Sequence, residues 1–319
     1  MKYIDHVISG IKRRFIGDYR DEFVRSFSAK KYAGDPLKTA LRKKRGYLLA
    51  RNFFIDNCRS KQYYDYYLKV YDTLCAIYTD NSDTSRFDFD DVLVPKPLNE
   101  QSVEALFALE FIDILLPYIV DDKVFCDAIA REGPYELGYC TIKPGDIAID
   151  CGANIGLFSA LASNKGAIVY AFEPSGSIVD NYLAKTALYN PNVHIRKYAL
   201  SDKREQLMFV DESTFGAGTR KLTATDVSEK GITEAISIDE FVQEEGITHI
   251  DFIKADIEGA ERYMLMGAKQ VLKEFAPKLS ICTYHLPDDR KVLRELILNS
   301  NPSYVIEEKF CKMYAHVPR

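Results

Sequence analysis

The stretch that decides the fold is IAIDCGANIG, residues 147–156, where a short apolar, β-rich run leads into a glycine-containing turn. Small residues in such a turn let the backbone approach a ligand closely, and a helix beginning near Leu157 supplies free backbone N–H groups. Only Gly152 and Gly156 are present, so the turn is not the dinucleotide fingerprint G-x-G-x-x-G. It predicts a nucleotide pocket, and the structural alternative is a tight strand-to-helix turn.

The sequence from residue 140 onward alternates short β-rich runs with helical stretches, which is typical of a parallel sheet with crossover helices. We therefore predict a doubly wound, Rossmann-like α/β domain over residues 121–319. The expected strands are 147–150, 168–173, 193–198, 250–255 and 279–284. Ligands of such sheets bind outside the carboxyl ends of the strands, so residues at those ends are the functional candidates.

Acidic residues follow two of these strands. The second strand ends in Phe-Glu173-Pro174, 23 residues beyond Asp150, which is near the spacing at which such folds present an acid to ribose hydroxyls. The third strand leads into Ala199-Leu-Ser-Asp202, whose carboxylate can accept a hydrogen bond from an adenine amine. Each acid alone is often a helix N-cap or a surface residue. Together, at successive strand ends, they predict an adenosine site.

The densest group of charges follows the fourth strand, in the motif KADIEGAE that runs from Lys254 to Glu261. Asp256 or Glu258 could cap the next helix, and Glu261 could favour its positive end. Helix capping alone would not explain why Lys254 stands on the buried side of this motif. The fifth strand delivers His285 to the neighbourhood of Asp256. A lone histidine is usually structural, but one at a strand end beside an acid is also a functional candidate.

The ordered motifs resemble those of the FkbM-type methyltransferase family over about residues 132–284. The motifs are PGD (144–146), DCGANIG (150–156), FEP (172–174), ALSD (199–202), ISIDEF (236–241) and KADIEGAE (254–261). The resemblance implies the class I methyltransferase fold for residues 121–319 and S-adenosylmethionine as the cofactor. It also implies, as the usual reaction, O-methylation of a sugar, glycan or natural-product hydroxyl.

The resemblance further implies which residues bind the cofactor. Asp150, Gly152 and Asn154 would line its methionine part. Glu173 would take the ribose, and Asp202 would face the adenine. A Tyr-Glu pair before the first strand would lie near the methionine end. The full implied set is Tyr135, Glu136, Asp150, Gly152, Ala153, Asn154, Gly156, Glu173, Pro174, Ala199 and Asp202.

Methyl transfer to a hydroxyl is helped by a group that removes the hydroxyl proton as the new bond forms. Asp256 and His285 are the candidate bases, and we expect Lys254 to orient a carboxylate or the acceptor. A divalent metal held by Asp256 and Glu258 could instead lower the pKa of the hydroxyl. The sequence leaves these two routes open.

Other functions use parts of the same pattern. A protein or peptide side-chain methyltransferase would apply the same chemistry to a different acceptor. From other classes, an NAD-dependent oxidoreductase is disfavoured by the missing third glycine, and a non-catalytic adenosine-binding scaffold stays open. Fold and cofactor motifs do not name the acceptor.

The first 120 residues lack strand alternation and predict a mainly helical N-terminal domain, which we expect to be an acceptor lid or a homo-oligomer interface. Six tyrosines in residues 62–79 suit core or interface packing, or a sugar-stacking platform. Residues 1–62 carry a net charge of +10 in a chain of net charge −5. This charge fits solvated helix faces or an anionic partner such as a phosphorylated glycan carrier or a membrane surface, with nucleic acid as the minority case. The polar stretch 79–91 predicts a loop.

Seven scattered cysteines without a C-x-x-C pair indicate neither a disulfide framework nor a zinc-thiolate site. They favour a reducing, cytoplasmic compartment. The sequence also contains neither the continuous apolar core of a signal peptide nor an apolar stretch long enough to span a bilayer.

Overall fold

The computed structural model describes residues 86–89, 92–95, 114, 132–213, 216–221 and 231–318 of the chain. The chain divides into two compact units, residues 1–89 with 96–129, and residues 90–95 with 130–319. Most of the predicted helical region 1–120, including its tyrosine-rich segment, lies outside the described residues, so its proposed role stays a prediction. A short strand at residues 86–89 lies in the stretch 79–91 where a loop was expected, because RFDF alternates polar and aromatic residues, and a second short strand at 92–95 follows that stretch.

Thirteen strands lie in the described part of the chain. They are β1 (Arg86–Phe89), β2 (Val92–Pro95), β3 (Ile147–Cys151), β4 (Ile168–Phe172), β5 (Val193–Arg196), β6 (Ala199–Leu200), β7 (Glu205–Ser213), β8 (Gly216–Lys221), β9 (Ile232–Ile236), β10 (Phe252–Ala255), β11 (Lys278–Cys282), β12 (Val305–Lys309) and β13 (Lys312–His316). All five predicted strands of the α/β domain match within two residues at each end. The predicted strand 193–198 ends early at Arg196, and the chain then joins a different sheet at β6.

The helices of residues 132–318 connect these strands. They are α1 (Leu157–Asn164), α2 (Gly176–Ile178), a π-helical turn (Val179–Leu183), α3 (Ala184–Tyr189), α4 (Ile238–Glu245), α5 (Glu261–Met266), α6 (Lys269–Glu274) and α7 (Asp289–Ser300). Helix α1 begins at the residue predicted from the sequence. Helix α4 starts with a capping box between Ser237 and Glu240 and ends at Gly246, whose left-handed conformation closes the helix.

Seven strands form one sheet in the order β12-β13-β11-β10-β3-β4-β5. The five strands from β11 to β5 are parallel, and β13 runs antiparallel between β11 and β12. This is the seven-stranded class I arrangement, so the predicted fold class is confirmed. The chain proceeds from β3 towards β5 in one direction and from β10 towards β12 in the other. The carboxyl ends of β3 and β10 therefore flank the topological switch point, where such folds bind ligands.

A second sheet, in the order β6-β9-β7-β8, was not predicted as a separate unit. The apolar core lies on the seven-stranded sheet, where every residue of β10 is buried and α4, α6 and α7 contribute apolar side chains. Burial of a parallel sheet on both faces explains its continuous apolar runs. Within the described segments, no helix has the length and apolar character that a membrane crossing requires.

Candidate active site

Asp150 and Lys254 form a buried ion pair at the topological switch point. They stand opposite each other in the β3–β10 register, and Lys254 Nζ lies 2.9 Å from Asp150 Oδ1. The other carboxylate oxygen of Asp150 accepts a 2.6 Å hydrogen bond from the Ser159 hydroxyl of α1. Lys254 also donates to the backbone oxygen of Gly152 at 2.6 Å. Asp150 is fully buried, so its charge needs Lys254 as a partner. Through its bond to Gly152, Lys254 also holds the turn after β3 in place.

The glycines of this turn pack against the protein itself. A Cβ on Gly152 would overlap the backbone oxygen of Asp256, and a Cβ on Gly156 would lie 2.8 Å from side-chain carbons of Leu183 and Thr186. Both glycines also have a positive φ, which other residues adopt only with strain. The close approach that they permit is therefore between segments of the chain, whereas the sequence had suggested a close approach to a ligand.

Asn154 and Glu173 contact each other just beyond the ends of β3 and β4. Asn154 has a left-handed φ of 51°, and its side-chain oxygen is buried without a hydrogen-bond partner in the structure. Glu173 is 8% exposed and accepts hydrogen bonds from the backbone N–H groups of Asn154 at 3.0 Å and of Ser175 at 2.9 Å. Burial raises the pKa of Glu173, and these two N–H groups partly oppose that effect. A strained residue with an orphaned polar atom is typical of a ligand site.

The other residues of the predicted adenosine site lie in or just after three different strands, of which β6 belongs to the second sheet. Pro174 follows β4 and is half-buried, whereas Ala153 and Ala199 are buried. Asp202 is half-buried just after β6, and its Oδ1 accepts a 3.2 Å hydrogen bond from the Ser201 hydroxyl. Glu173 thus follows β4, whereas Asp202 follows β6 of the second sheet, and its position facing the adenine stays a prediction.

Asp256 is the centre of a second polar group, which lies at the carboxyl ends of β10 and β11. Its Oδ2 accepts a 2.7 Å hydrogen bond from the hydroxyl of Tyr135, and its Oδ1 accepts one of 3.2 Å from Tyr284. Burial opposes ionisation of Asp256, but Lys254, Lys312 and the Tyr135 hydroxyl outweigh it and hold its pKa below the ordinary value. Asp256 is therefore a carboxylate at neutral pH.

His285 lies within ion-pair distance of three acids. Its Nε2 is 3.4 Å from Asp256 Oδ1 and 3.6 Å from Glu258 Oε2, and its Nδ1 is 3.0 Å from Glu261 Oε1. Burial lowers the pKa of the imidazole, but the interaction with Glu261 and the charges of the three acids outweigh burial and raise the pKa to about 9. The adjacency of Asp256 and His285 that the sequence suggested is thus present in the fold.

The acids of KADIEGAE do not cap the helix that follows. Helix α5 begins at Glu261 after Ala260, and no side chain accepts a capping hydrogen bond there. Glu261 instead accepts a 2.8 Å hydrogen bond from the backbone N–H of Ile257 and is fully buried. Glu258 holds a left-handed φ of 55°, a conformation that costs energy in a non-glycine residue. The capping alternative therefore does not account for Asp256 or Glu258.

Glu136 is the one predicted site residue whose side chain lies away from these groups. Its carboxylate pairs with Lys165 Nζ at 2.7 Å, just beyond the end of α1. The backbone N–H of Gly145 donates to the oxygen of Gly166, which places that helix end beside the start of β3. Glu136 therefore projects towards the opposite edge of the sheet from its neighbour Tyr135.

Three further residues complete the site and were not predicted. Ser159 holds Asp150, and Tyr284 contacts Asp256 from the last predicted strand. Lys312 is buried under Tyr135, with its Nζ 4.4 Å from the ring centre, and donates to backbone oxygens at 132 and 133. Tyr284 could have been found from its position at the end of a predicted strand. Lys312 carries no local signal, because an antiparallel strand from far along the chain brings it under Tyr135.

The fold and these strand-end residues define a class I methyltransferase-like domain. Residues 150–307 match the family described as Methyltransferase FkbM domain, so the chain belongs to the FkbM-type methyltransferase family.

Similar proteins include the 31-O-demethyl-FK506 methyltransferase FkbM of Streptomyces tacrolimicus, 27% identical over 40% of this chain and 61% of that protein. The hexuronic acid methyltransferase AglP of Haloferax volcanii is 30% identical over 40% of this chain and 52% of that protein. The matched region thus spans less than two thirds of either relative. A solved methyltransferase FkbM from Methylobacillus flagellatus is 18% identical over 81% of this chain and 62% of that one, with a TM-score of 0.44.

Proposed function

We propose that this protein is an S-adenosylmethionine-dependent methyltransferase that acts on a hydroxyl of a sugar, glycan or natural product. The observation that carries the proposal is the division of the strand-end residues into two groups. One group, around Asn154 and Glu173, has the donors and acceptors for an adenosine cofactor. The other, around Asp256 and His285, has the acid–base chemistry for an acceptor hydroxyl.

The first group fits the cofactor on its own chemistry. The orphaned Asn154 oxygen can accept from an ammonium or hydroxyl group. Glu173 has one N–H donor on each carboxylate oxygen, and each oxygen keeps a further lone pair for a ribose hydroxyl. Asp202 can accept from an adenine amine. When bound, S-adenosylmethionine supplies a methyl group on a positively charged sulfur.

The second group handles the proton that the acceptor hydroxyl must lose as its oxygen attacks the methyl carbon. The methyl–sulfur bond breaks with its electrons going to sulfur, and the hydroxyl proton passes to the protein. Asp256 is ionised and fixed by Tyr135 and Tyr284, so it can accept a hydrogen bond from the hydroxyl. His285 borders Asp256 at 3.4 Å, and its raised pKa of about 9 makes it the positively charged partner of that carboxylate. Lys254 acts on the site indirectly, by pairing with the buried Asp150.

A neutral hydroxyl is the acceptor that suits these surroundings best. Asp256, Glu258 and Glu261 would repel a second anion brought close to them. The names of the two relatives give 31-O-demethyl-FK506 and a hexuronic acid as their substrates, which supports a sugar or natural-product acceptor as the first class to test. A protein or peptide side chain is the second class, with the same chemistry at the methyl group.

The experiment has two arms. Calorimetric titration of the full chain with S-adenosylmethionine and with NAD tests the cofactor, and we expect binding of the first only. Incubation with S-adenosylmethionine and separate pools of glycans, small metabolites and peptides, followed by mass spectrometry, tests the acceptor. Products heavier by one CH₂ in the glycan or metabolite pool support the proposal. Cofactor binding with no product in any pool would favour a non-catalytic scaffold.

A further inference from the structure

Glu261 is a fully buried acid whose charge is not needed by the helix that it begins. It is the first residue of α5, and its Oε1 accepts a 2.8 Å hydrogen bond from the backbone N–H of Ile257. A neutral glutamine oxygen could accept the same bond, because the N–H group needs only a lone pair. A buried carboxylate is costly unless a positive charge lies close to it. The charge of Glu261 therefore requires a partner outside its own helix and turn.

His285 is that partner. Its Nδ1 lies 3.0 Å from Glu261 Oε1, a shorter distance than the imidazole has to either of the other two acids. The side chain of His285 is only 6% exposed, and neither ring nitrogen has a hydrogen bond of good geometry within the described residues. The ring is therefore held mainly by the attraction of opposite charges. This attraction lasts only while both groups are ionised.

The other ring nitrogen of His285 faces Asp256. Nε2 lies 3.4 Å from Asp256 Oδ1 and 3.6 Å from Glu258 Oε2, both in the segment after β10. At the end of β11, the ring of Tyr284 is centred 4.2 Å from the imidazole, and burial raises the pKa of its hydroxyl, so Tyr284 is neutral. Glu258 is the most exposed of the three acids, and water screens its charge. The ring thus has one strong acidic neighbour at each nitrogen.

We propose that Glu261 is a positioning residue, which holds His285 as an imidazolium and directs its Nε2–H group at Asp256. A carboxylate at Nδ1 keeps a proton on that nitrogen and fixes the plane of the ring, as in catalytic triads whose buried acid orients a histidine. The second proton then stays on Nε2 and faces Asp256. The charge and orientation of His285 do not depend on the proposed function, but their effect on methyl transfer rests on it.

This arrangement keeps Asp256 ionised among like charges. Glu258 and Glu261 each make a further negative charge at Asp256 less favourable. Burial also opposes the ionisation of Asp256, and the charge of His285 is one of those that nevertheless hold its pKa below the ordinary value. With a neutral His285, Asp256 would take up a proton more readily and would be less firmly placed. Glu261 can act on the acceptor site only through His285, because it is fully buried.

The first test is nitrogen-15 NMR of the histidine side chains of the full chain at pH 8, without cofactor or acceptor. The chain has five histidines, and the signal lost in His285→Ala identifies the one at 285. Burial lowers the pKa of His285, but Glu261 and the other acids raise it to about 9, so about ten charged rings should exist for each neutral one. Glu261→Gln keeps an oxygen for the Ile257 N–H but removes the charge, and it should lower this ratio at least about tenfold.

Matched variants show whether the effect belongs to Glu261. Glu258→Gln removes the most exposed acid and should lower the ratio less than Glu261→Gln does. Glu261→Asp keeps the charge but moves it away from Nδ1, so its ratio should lie between those of the unchanged chain and Glu261→Gln. The control is Asp146→Asn, which removes a buried acid paired with Lys278 where β3 begins. It should lower the melting temperature and leave the His285 signal unchanged.

Single-turnover methyl transfer and binding of S-adenosylmethionine are measured in the same variants. Glu261→Gln should lower the transfer rate about 10–100-fold and retain cofactor affinity, because Asp256 loses its fixed position. An altered His285 signal with an unchanged transfer rate would make Glu261 merely structural and overturn its positioning role. A charged His285 in a chain that methylates no acceptor would leave the contact with Glu261 standing and reject the proposed function.

The NMR result alone can also overturn the proposal. A neutral His285 in the unchanged chain at pH 8 would do so, as would equal ratios in the unchanged chain and in Glu261→Gln. If Glu261→Gln does not fold, Glu261→Asp decides. A lower ratio of charged to neutral rings in that variant supports the proposal, and a ratio equal to that of the unchanged chain overturns it.

Discussion

At the edge of the seven-stranded sheet where β3 begins, two acids pair with lysines. Glu136 pairs with Lys165 at 2.7 Å, and Asp146 pairs with Lys278 at 2.6 Å. At the opposite edge, where β10 and β11 end, three acids crowd around His285, and the nearby Lys254 is paired with Asp150 in the layer below. The same sheet therefore carries balanced charge at one edge and surplus acid at the other.

This difference separates stability from function within one fold. Balanced, partly buried pairs satisfy the charges that the fold must bury and leave little tendency to bind anything else. Unbalanced acids with orphaned polar atoms cost stability, and such a cost is retained where a ligand or a proton is handled. Substitutions at the two edges should accordingly affect different measurements.

The largest effect is expected at the acid-rich edge. His285→Ala and Asp256→Asn should each lower single-turnover methyl transfer by about 10²–10⁴-fold, because Asp256, which accepts the hydroxyl proton, or its positively charged partner His285 is lost. Affinity for S-adenosylmethionine, measured by calorimetry, should stay nearly the same. Unchanged transfer rates in both variants would remove these residues from the mechanism, and lost cofactor binding would move them into the adenosine site.

The second-largest effect is expected for the buried ion pair of Lys254 and Asp150. Lys254→Met should lower the free energy of unfolding by about 3–5 kcal/mol, because it leaves the fully buried Asp150 carboxylate without its cation. Urea denaturation followed by circular dichroism measures the change. The double variant Asp150→Asn with Lys254→Met should recover part of the loss, and a double variant less stable than the single one would contradict the assigned pairing.

A smaller effect is expected for the cofactor. Glu173→Ala should weaken S-adenosylmethionine by about 1.5–3 kcal/mol, since a charged acceptor to ribose hydroxyls is lost. Calorimetry at fixed ionic strength gives the value. Glu245→Ala is the control, because Glu245, the last residue of α4, pairs with Arg196 on the surface, and its loss should leave the affinity intact. Full affinity in the Glu173 variant would reject the ribose assignment.

The smallest effect is expected at the balanced edge. Lys165→Met should cost about 1 kcal/mol of stability, as is usual for a partly exposed pair. Methyl transfer and cofactor affinity should both match the unchanged chain, because Glu136 projects away from the strand ends that form the site. A loss of cofactor affinity in this variant would restore Glu136 to the cofactor site that the sequence suggested.

Local signals explain which predictions succeeded. The start of α1 and five strands followed from apolar periodicity and turn residues, which depend on neighbours in the sequence. The second sheet was missed because β6 is only two residues long and pairs with β9 more than thirty residues later. Tyr135 and Glu136 show the limit most directly. They are adjacent in sequence, yet one contacts Asp256 and the other contacts Lys165 at the opposite edge.

The sequence by itself determined five parallel strands and their order, the acids that follow them and the FkbM-type resemblance, because each depends on residue types at short spacing. Only the tertiary structure decided which charges meet. It joined Asp150 to Lys254 through strand register, placed Glu261 against His285, and brought Lys312 under Tyr135 from a strand near the end of the chain. These contacts depend on long-range packing, in which side chains far apart in sequence share one buried volume, and no local pattern encodes that convergence.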